Sequence, residues 1–210
     1  ENPDNEIGRL ASHFETMTDT LEHSTRELER KVAQRTDELN RLARIDALTG
    51  LKNRRGLDEA LDEEIQRAKR QNTGFGLIWL DIDHFKAIND ELGHQAGDDI
   101  LCRVALWLKA GVRPYDHPGR WGGDEFVVVL SPCDEDTLCQ IAARIRETIE
   151  RDSIRTGTPV TVSVGGYLCQ PGDDVDTILR QADQALYRVK QQGRNKVLIT
   201  DGSGQEINPA

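Results

Sequence analysis

The chain has 210 residues and a formal net charge of −10 at pH 7. So acidic a protein is not expected to be a general nucleic-acid binder, because phosphate contacts require a basic face. Any bound nucleotide must therefore be held locally, by metal, backbone amides and a few basic side chains. The length allows one domain of common size plus an appendage.

The cysteines and the apolar runs indicate the cellular compartment. The four cysteines are Cys102, Cys133, Cys139 and Cys169. They form no CxxC pair and no zinc spacing, so we expect reduced thiols in a cytosolic protein, and none is a site candidate. The apolar run Phe75–Leu80 is far too short for a membrane span, and no signal peptide is present. Because the chain begins at Glu1 without methionine, we expect a fragment of a longer protein.

Residues 1–45 differ in character from the rest of the chain. They carry dense charge around a sparse apolar seam with three- and four-residue spacings, typical of a coiled coil. The seam residues are Leu10, Phe14, Met17, Leu21 and Leu28. The step from Leu28 to Val32 is equivalent to a four-residue stutter, at which the seam changes face. Two interpretations stay open: an amphipathic helix on its own domain, or a parallel dimer helix, which the charge on all faces favours.

From Asp46 to about residue 200 the pattern is that of a globular domain, and 201–210 is predicted to be a flexible tail. Helical spacing covers 53–71, 94–112, 176–193 and a segment with Leu138, Ile141, Ile145 and Ile149 inward. Strand patterns cover 75–83, 158–169, 195–200 and a hairpin around Gly122. Tandem strands instead of strict alternation predict an α+β fold, with a mostly antiparallel five-stranded central sheet and flanking helices.

Three acids stand at predicted strand ends. Asp81 follows an apolar strand, and Asp124 and Glu125 lie at the hairpin turn. If the two strands are neighbours, the carboxylates converge at one edge, where their repulsion would favour a divalent cation such as Mg²⁺ or Mn²⁺. Solvated strand-end acids are the alternative.

The glycines of the turn, Gly122 and Gly123, are equally ambiguous. They would let a ligand approach the backbone closely, yet hairpins use Gly-Gly for geometry alone. Neither a GxxxxGK[ST] loop nor a GxGxxG loop is present, so a Walker-type kinase or a Rossmann dehydrogenase is not supported.

A resemblance decides between these alternatives. The stretch "RWGGDEF" (120–126) resembles the signature of the GGDEF family of diguanylate cyclases. Four companion segments follow the family order: "DALTGLKNRR", "DIDHFKAINDELGHQAGDDIL", "TVSVGG" and "ADQALYRVKQQGRNKV". The resemblance covers residues 46–200. Lys52 departs from it, since the family usually has proline there, at a turn remote from the acids.

The resemblance implies a palm-like nucleotidyl-cyclase fold and a reaction that condenses two GTP into cyclic di-GMP and two pyrophosphates across a homodimer. It implies two Mg²⁺ or Mn²⁺ ions in each active site, held by Asp81, the Ile82 carbonyl, Asp124 and Glu125. Asp124 is the best candidate to accept the 3′-OH proton, with Glu125 as a further ligand or base.

The family pattern also assigns the nucleotide contacts. Asn89 and Asp98 would bind guanine, because a carboxylate accepts from N1 and N2 while an amide serves O6 or N3. An aspartate at 98 favours GTP over ATP. The remaining candidates bind phosphate or line the turn: Lys86, Lys190, Arg194, the amides near His84 and Phe85, and Gly122 with Gly123.

An RxxD pair, Arg113 and Asp116, precedes the turn. In the family such a pair forms a product-inhibition site for cyclic di-GMP, and Arg144 takes the place of a second arginine of that site. The pattern alone is weak, because "RQAD" at 180–183 repeats it without this context.

The N-terminal stretch "NPDNEIGRLASHFETMTDTLEH" resembles the second helix of a HAMP signal-relay module. This implies a cytoplasmic domain of a parent protein anchored in the bacterial inner membrane, whose input acts through the coiled coil. Two other functions are weighed against an active cyclase: a catalytically silent cyclic di-GMP receptor, which the intact Asp81, Asp124 and Glu125 argue against, and a dimerisation and relay fragment.

Overall fold

The structure, a computed structural model, describes residues 17, 23, 25, 27, 30, 31, 35, 43–203 and 205–207. The chain divides into two compact units, Glu1–Leu42 and Ala43–Ala210. The described residues of the first unit are helical, and Lys31 and Glu27 form an i,i+4 ion pair at 2.8 Å. Apart from Met17, the seam of the predicted coiled coil and its stutter lie outside the described residues.

The second unit contains five helices and six strands among its described residues. The helices are α1 (Arg54–Gln71), α2 (Phe85–Leu92), α3 (His94–Gly111), α4 (Glu135–Arg155) and α5 (Val175–Gln191). The strands are β1 (Phe75–Ile82), β2 (His117–Gly122), β3 (Glu125–Leu130), β4 (Val162–Cys169), β5 (Val197–Thr200) and β6 (Glu206–Ile207). The predicted order of elements is confirmed up to β5.

One sheet holds all six strands in the order β2-β3-β1-β4-β5-β6. Only the β4–β5 pair is parallel, so the predicted mostly antiparallel α+β sheet is confirmed. The predicted number of five strands is wrong. The sixth strand is two residues long and lies within the range predicted as a flexible tail, where Ile207 is buried against the core. One apolar residue after a Gly/Ser-rich segment produces no periodic pattern, so the sequence does not indicate this strand.

Helices cover both faces of the sheet, and β1 supplies core residues to each. Ile78 and Leu80 join the cluster with α3 and α4, whereas Leu77 and Trp79 join the cluster with α1 and α5. This division follows from the alternation of side chains along a strand. A strand buried on both faces reads as the continuous apolar run that the sequence shows.

The predicted fourth strand is too long at its start. It was expected from Thr158, but β4 begins at Val162. The reason is that the Ser153 hydroxyl of α4 bonds both backbone groups of Val160: it accepts from the Val160 amide at 3.0 Å and donates to the Val160 carbonyl at 3.0 Å. The backbone of Val160 is therefore satisfied by a helix and not by a neighbouring strand.

Candidate active site

The acids predicted to converge lie at one end of the three central strands. Asp81, the second-to-last residue of β1, is directly opposite Glu125 of β3 and Ser163 of β4. Asp124 occupies the turn between β2 and β3, and its carbonyl accepts from the Ile82 amide at 3.3 Å. The register of the sheet therefore brings the ends of β1 and the hairpin together.

A cation already faces this edge. Lys190, in the last turn of α5, places its Nζ 2.8 Å from Oδ2 of Asp81, and the two side chains are 30% and 13% exposed. The pair is thus well shielded from water. Salt screening and competing solvation are weaker there than at an open surface.

The pairing of α5 with the sheet depends on Gly165 of β4. A Cβ at this position would lie 2.2 Å from the Leu186 amide nitrogen and 2.5 Å from the Ala182 carbonyl oxygen. Both are backbone atoms of α5, so only glycine permits this close approach of helix and sheet. The approach sets how near the end of α5 comes to β1.

Burial and neighbouring negative charges raise the pKa of two of these carboxyls, Asp81 and Glu125. For Asp81, burial is the largest cause of a raised pKa, and the Asp124 charge adds to it while Lys190 opposes both. For Glu125, burial again comes first, followed by the Asp81 charge, and the pKa is raised. A nearby positive charge would stabilise the ionised form of both carboxyls.

The donor set suits a hard divalent cation completed by a substrate. Among the described residues, no three His, Cys, Asp or Glu side chains form a ready-made metal cluster. Mg²⁺ commonly uses only one or two carboxylates and takes its other ligands from water and phosphates. The convergence of Asp81 and Glu125 at one strand end, with the pKa of each raised, is the observation that fits such an ion.

Asn89 and Asp98, predicted to bind guanine, are brought close by two consecutive helices. Asn89 of α2 faces Gly97 of α3 so closely that a Cβ on Gly97 would lie 1.9 Å from Asn89 Oδ1. Asp98 follows Gly97 directly. Asn89 Oδ1 is buried and has no hydrogen-bond partner in the structure. A buried polar atom without a partner is costly, so this atom is suited to a ligand donor.

The predicted phosphate contacts surround the same strand end. His84 has a left-handed φ of 59° and precedes α2, where Phe85 begins the helix and packs on the core. Lys86 is exposed on α2. Arg194 is exposed in the loop after α5, with a left-handed φ of 62°.

The hairpin turn is fastened from its base. Gly123 has a φ of 51°, whereas Gly122 does not need a left-handed conformation; both are exposed, with open space where a Cβ would lie. Arg120 donates to the Gly123 carbonyl from Nε and Nη2 at 2.9 and 2.7 Å, and its Nη1 lies 3.4 Å from Asp46 Oδ1. Asp46 also accepts from the amide and hydroxyl of Thr49. These bonds join the first turn of the domain to the GGDEF turn.

The predicted inhibitory residues cluster at the far end of α3. Asp116 is buried and accepts from the backbone amides of Arg113 (2.7 Å) and Ser131 (3.3 Å), so it shapes this loop. The Arg113 guanidinium is exposed and lies 5.8 Å from the Tyr115 ring centroid. Arg144 donates to the Gly111 carbonyl at 2.6 Å. Both arginines are therefore at one surface.

Comparison with known proteins agrees with this geometry. The family described as "Diguanylate cyclase, GGDEF domain" matches residues 43–196. The chain belongs to this family. The chain is 34% identical over 160 residues to the diguanylate cyclase DgcZ of Escherichia coli. The matched region is 75% of this chain and 53% of DgcZ. The chain is 39% identical over 202 residues to the bifunctional diguanylate cyclase/cyclic di-GMP phosphodiesterase MucR of Pseudomonas aeruginosa, covering 92% of this chain and 29% of MucR. The chain thus spans about half or less of these relatives.

A solved structure shares the fold. The coiled coil and GGDEF domain of DgcB from Caulobacter crescentus, in complex with c-di-GMP, superposes with a TM-score of 0.80 at 32% identity, covering 88% of this chain and 99% of that one. Within the described part of this GGDEF protein, no helix has the length and apolar character that crossing a bilayer requires.

Sequence reasoning missed two residues of the GGDEF site. The first is Asp83, which is only 4% exposed and accepts from Thr161 Oγ1 and Ser163 Oγ at 2.7 and 2.6 Å. Asp46 appeared only as part of a quoted motif. Its spacing from Arg120, 74 residues along the chain, has no local signal that could have revealed the pairing.

Proposed function

We propose that this GGDEF domain is a diguanylate cyclase that condenses two GTP molecules into cyclic di-GMP and two pyrophosphates. The observation that carries the proposal is the strand end where Asp81 meets Lys190 and faces Glu125. An unpartnered, buried amide oxygen for a base lies on the adjacent helices. Family membership supports the same reaction.

The reaction forms two phosphodiester bonds in the same way. The 3′-oxygen of one GTP bonds to the α-phosphorus of the other, and the bond from that phosphorus to the bridging oxygen breaks. The electron pair leaves with pyrophosphate, and Asp124 accepts the proton of the 3′-hydroxyl. Phosphoryl transfer requires mainly in-line placement and charge neutralisation, which explains a site built from charged groups.

Each subunit would hold one GTP. The Asp98 carboxylate accepts from guanine N1 and N2, and the Asn89 amide serves O6 or N3. The aspartate selects guanine over adenine because adenine lacks the N1 and N2 hydrogens. Lys86, Lys190 and Arg194 neutralise the triphosphate, assisted by amides near His84 and Phe85. Exposed glycines at 122 and 123 leave room for the phosphates to approach the turn.

Mg²⁺ or Mn²⁺, two in each site, would be held by Asp81, the Ile82 carbonyl, Asp124 and Glu125. When bound, these ions neutralise the phosphate oxygens and the developing charge.

The finer parts of the proposal concern assembly and control. Catalysis needs a homodimer, joined by the coiled coil of residues 1–45. Cyclic di-GMP inhibits at a site formed by Arg113 and Arg144, with Asp116 holding the loop.

The parent protein is anchored in the inner membrane, and its signal changes the register of the coiled coil at the stutter. Disulfide crosslinks that report one register in both high- and low-activity forms would refute the register switch.

The test is product formation. The protein is incubated with GTP and Mg²⁺, and cyclic di-GMP is measured by chromatography, with Asp124→Ala as the test variant and Asp62→Ala, an exposed acid on α1, as the matched control. We expect Asp124→Ala to lower the rate about 100-fold or more and Asp62→Ala to leave it unchanged. A dimeric wild type that starts free of product and makes none would refute the enzyme.

A further inference from the structure

The loop after α5 has an unusual backbone conformation. Gly193, Arg194 and Asn195 have consecutive positive φ values of 100°, 62° and 47°. Glycine adopts such values freely and asparagine more readily than most residues, whereas arginine rarely does.

Asn195 is held by its backbone amide and by both polar atoms of its side chain. Its backbone amide donates to Asp83 Oδ2 at 3.1 Å. Its side-chain Nδ2 donates to Glu150 Oε1 at 2.9 Å, and its Oδ1 accepts from Arg146 Nη1 at 3.1 Å. The loop is thereby fastened on one side to the end of β1 and on the other to α4.

The partners of Asn195 are themselves fixed. Asp83 is buried and bound by Thr161 and Ser163. Arg146 and Glu150 form an i,i+4 ion pair at 2.7 Å on α4. The hydrogen bonds from Asn195 and Arg146 also hold the pKa of Glu150 below its usual value, so Glu150 stays an acceptor at neutral pH.

Arg194 benefits from this arrangement. Its amide donates to the Val189 carbonyl at 3.1 Å, and the next residue is the fastened Asn195. Within the described part of the chain, its guanidinium has no hydrogen-bond or ion-pair partner. A cation whose backbone is fixed on both sides and whose charged end is unoccupied is prepared for an anion, because little conformational freedom is lost on binding.

We propose that Asn195 is a positioning residue for the triphosphate: its bonds to Asp83, Glu150 and Arg146 hold Arg194 and the end of α5 in the geometry that binds phosphate. The inference rests on the proposed function and deepens it. It also assigns Asp83 a structural role, since both its oxygens accept hydrogen bonds from the protein.

The chain offers a matched control for Asn195. Asn72, at the end of α1, has the same left-handed conformation (φ 51°, ψ 43°) and is exposed. Asn195→Gly and Asn72→Gly therefore introduce the same backbone freedom, while only the first removes bonds to α4.

The first experiment compares the binding of 3′-deoxy-GTP, which lacks the attacking hydroxyl, with that of guanosine, by calorimetry. We expect Asn195→Gly to weaken 3′-deoxy-GTP binding about tenfold, the loss of one charge-assisted contact, and to leave guanosine binding unchanged. The Asn72→Gly variant should match wild type for both. Equal weakening of guanosine, or unchanged 3′-deoxy-GTP binding, would overturn the inference.

A second experiment replaces the donor of the bond from Asn195 Nδ2 to Glu150 Oε1 by an acceptor, and then replaces the acceptor by a donor. Asn195→Asp places a carboxylate beside Glu150 and should raise the KM for GTP more than Asn195→Gly does, with a smaller change in kcat. Adding Glu150→Gln restores a donor opposite the new acceptor, so the double variant should return to within about threefold of the wild-type KM. A double variant no better than Asn195→Asp alone would refute the role of the pair. A wild type that neither binds 3′-deoxy-GTP nor turns over GTP would refute the proposed function itself.

Discussion

Asp81 and Asp83 are separated by one residue, yet their carboxylates meet opposite environments. Asp81 faces a lysine and two other acids, and its pKa is raised. Asp83 accepts three hydrogen bonds from protein donors, one at Oδ1 and two at Oδ2. The neighbours, and not the residue type, decide which acid is available for chemistry and which for structure.

The effect of neighbouring groups on an acid can be tested at Asp46 through the pH dependence of protein stability. Burial acts to raise its pKa, but hydrogen bonds from Thr49 and the charge of Arg120 outweigh this, and the pKa is lowered below 3.8. A lowered folded-state pKa stabilises the protein above the unfolded pKa, and this contribution is lost as pH falls through the folded pKa. We expect Asp46→Asn to reduce the free energy of unfolding by about 1 kcal/mol at pH 7.

Urea unfolding at a series of pH values checks this prediction. The difference between wild type and Asp46→Asn should be constant at neutral pH and shrink below pH 3.8, where the wild-type carboxyl becomes neutral as well. A difference that persists unchanged into that range would show that the asparagine acts through shape and not through charge.

At the scale of elements, the contact between α5 and β4 connects packing to the site. The helix lies against the strand at Gly165, and its last turn carries Lys190 to Asp81. A small displacement of α5 relative to β4 would therefore change the distance between Lys190 and Asp81. Tight packing transmits such a shift because interiors have few voids to absorb it.

Gly165→Ala tests this connection. The new Cβ would collide with backbone atoms of α5, so we expect a loss of about 1–3 kcal/mol of stability and a fall in kcat/KM of about tenfold or more as Lys190 leaves Asp81. Thermal unfolding and steady-state kinetics measure the two effects.

Gly166→Ala is the control for this prediction. Its Cβ would meet a side-chain atom of Ile199 at 3.0 Å, which can move, and lies 3.6 Å from the nearest backbone oxygen. We expect a smaller loss of stability and nearly normal activity. Equal kinetic defects in both variants would argue against a specific role for the close approach.

The sequence predicts elements well where a pattern repeats and poorly where a single contact decides. The helical spacing of Leu138 to Ile149 and the apolar run of β1 identify α4 and the central strand, because burial imposes a period. The strand ending in Asp81 and the turn at Asp124 could also be located. The ion pair of Asp81 with Lys190, the αL pair at 194–195 and strand β6 could not, since each depends on residues distant in the chain.

At the scale of the whole molecule, an acidic protein is proposed to bind two polyanions. The net charge of −10 opposes the approach of GTP, so affinity must come from local cations such as Lys190 and Arg194 together with bound metal. In the proposed reaction two such sites face each other. Activity should therefore depend on pairing of subunits and not on each subunit alone.

Mixing subunits tests this dependence. If each subunit supplies Asp124 to its own GTP, a wild-type subunit paired with an Asp124→Ala subunit can close only one of the two bonds. We expect a large excess of Asp124→Ala protein to lower cyclic di-GMP formed per wild-type subunit severalfold, with linear dinucleotide accumulating. Chromatography separates the products, and an equal mass of unrelated protein is the control. Constant cyclic product per wild-type subunit would contradict a dimeric reaction.

The proposed product inhibition can also be tested at the scale of the whole molecule. Arg113→Ala removes an exposed guanidinium while Asp116 keeps the loop through the backbone amides of residues 113 and 131. We expect the initial rate to be unchanged and the concentration of added cyclic di-GMP that halves it to rise about tenfold or more. Arg151→Ala, whose partner Asp152 is its chain neighbour, is the control. Unchanged sensitivity in Arg113→Ala would remove the RxxD pair from the inhibitory site.

The central position of β1 has a consequence for amide hydrogen exchange. Its residues are paired on both edges, with β3 and with β4. Amides from Leu77 to Leu80 should therefore exchange only when the whole sheet opens, whereas those of the 193–196 loop exchange through local openings of lower energy. A nucleotide bound at the strand end would slow amide exchange in this loop far more than a nucleotide bound elsewhere on the protein surface. We therefore expect the slow-exchanging strand β1 and a ligand-sensitive loop to lie side by side, joined by the 3.1 Å hydrogen bond from the Asn195 amide to Asp83.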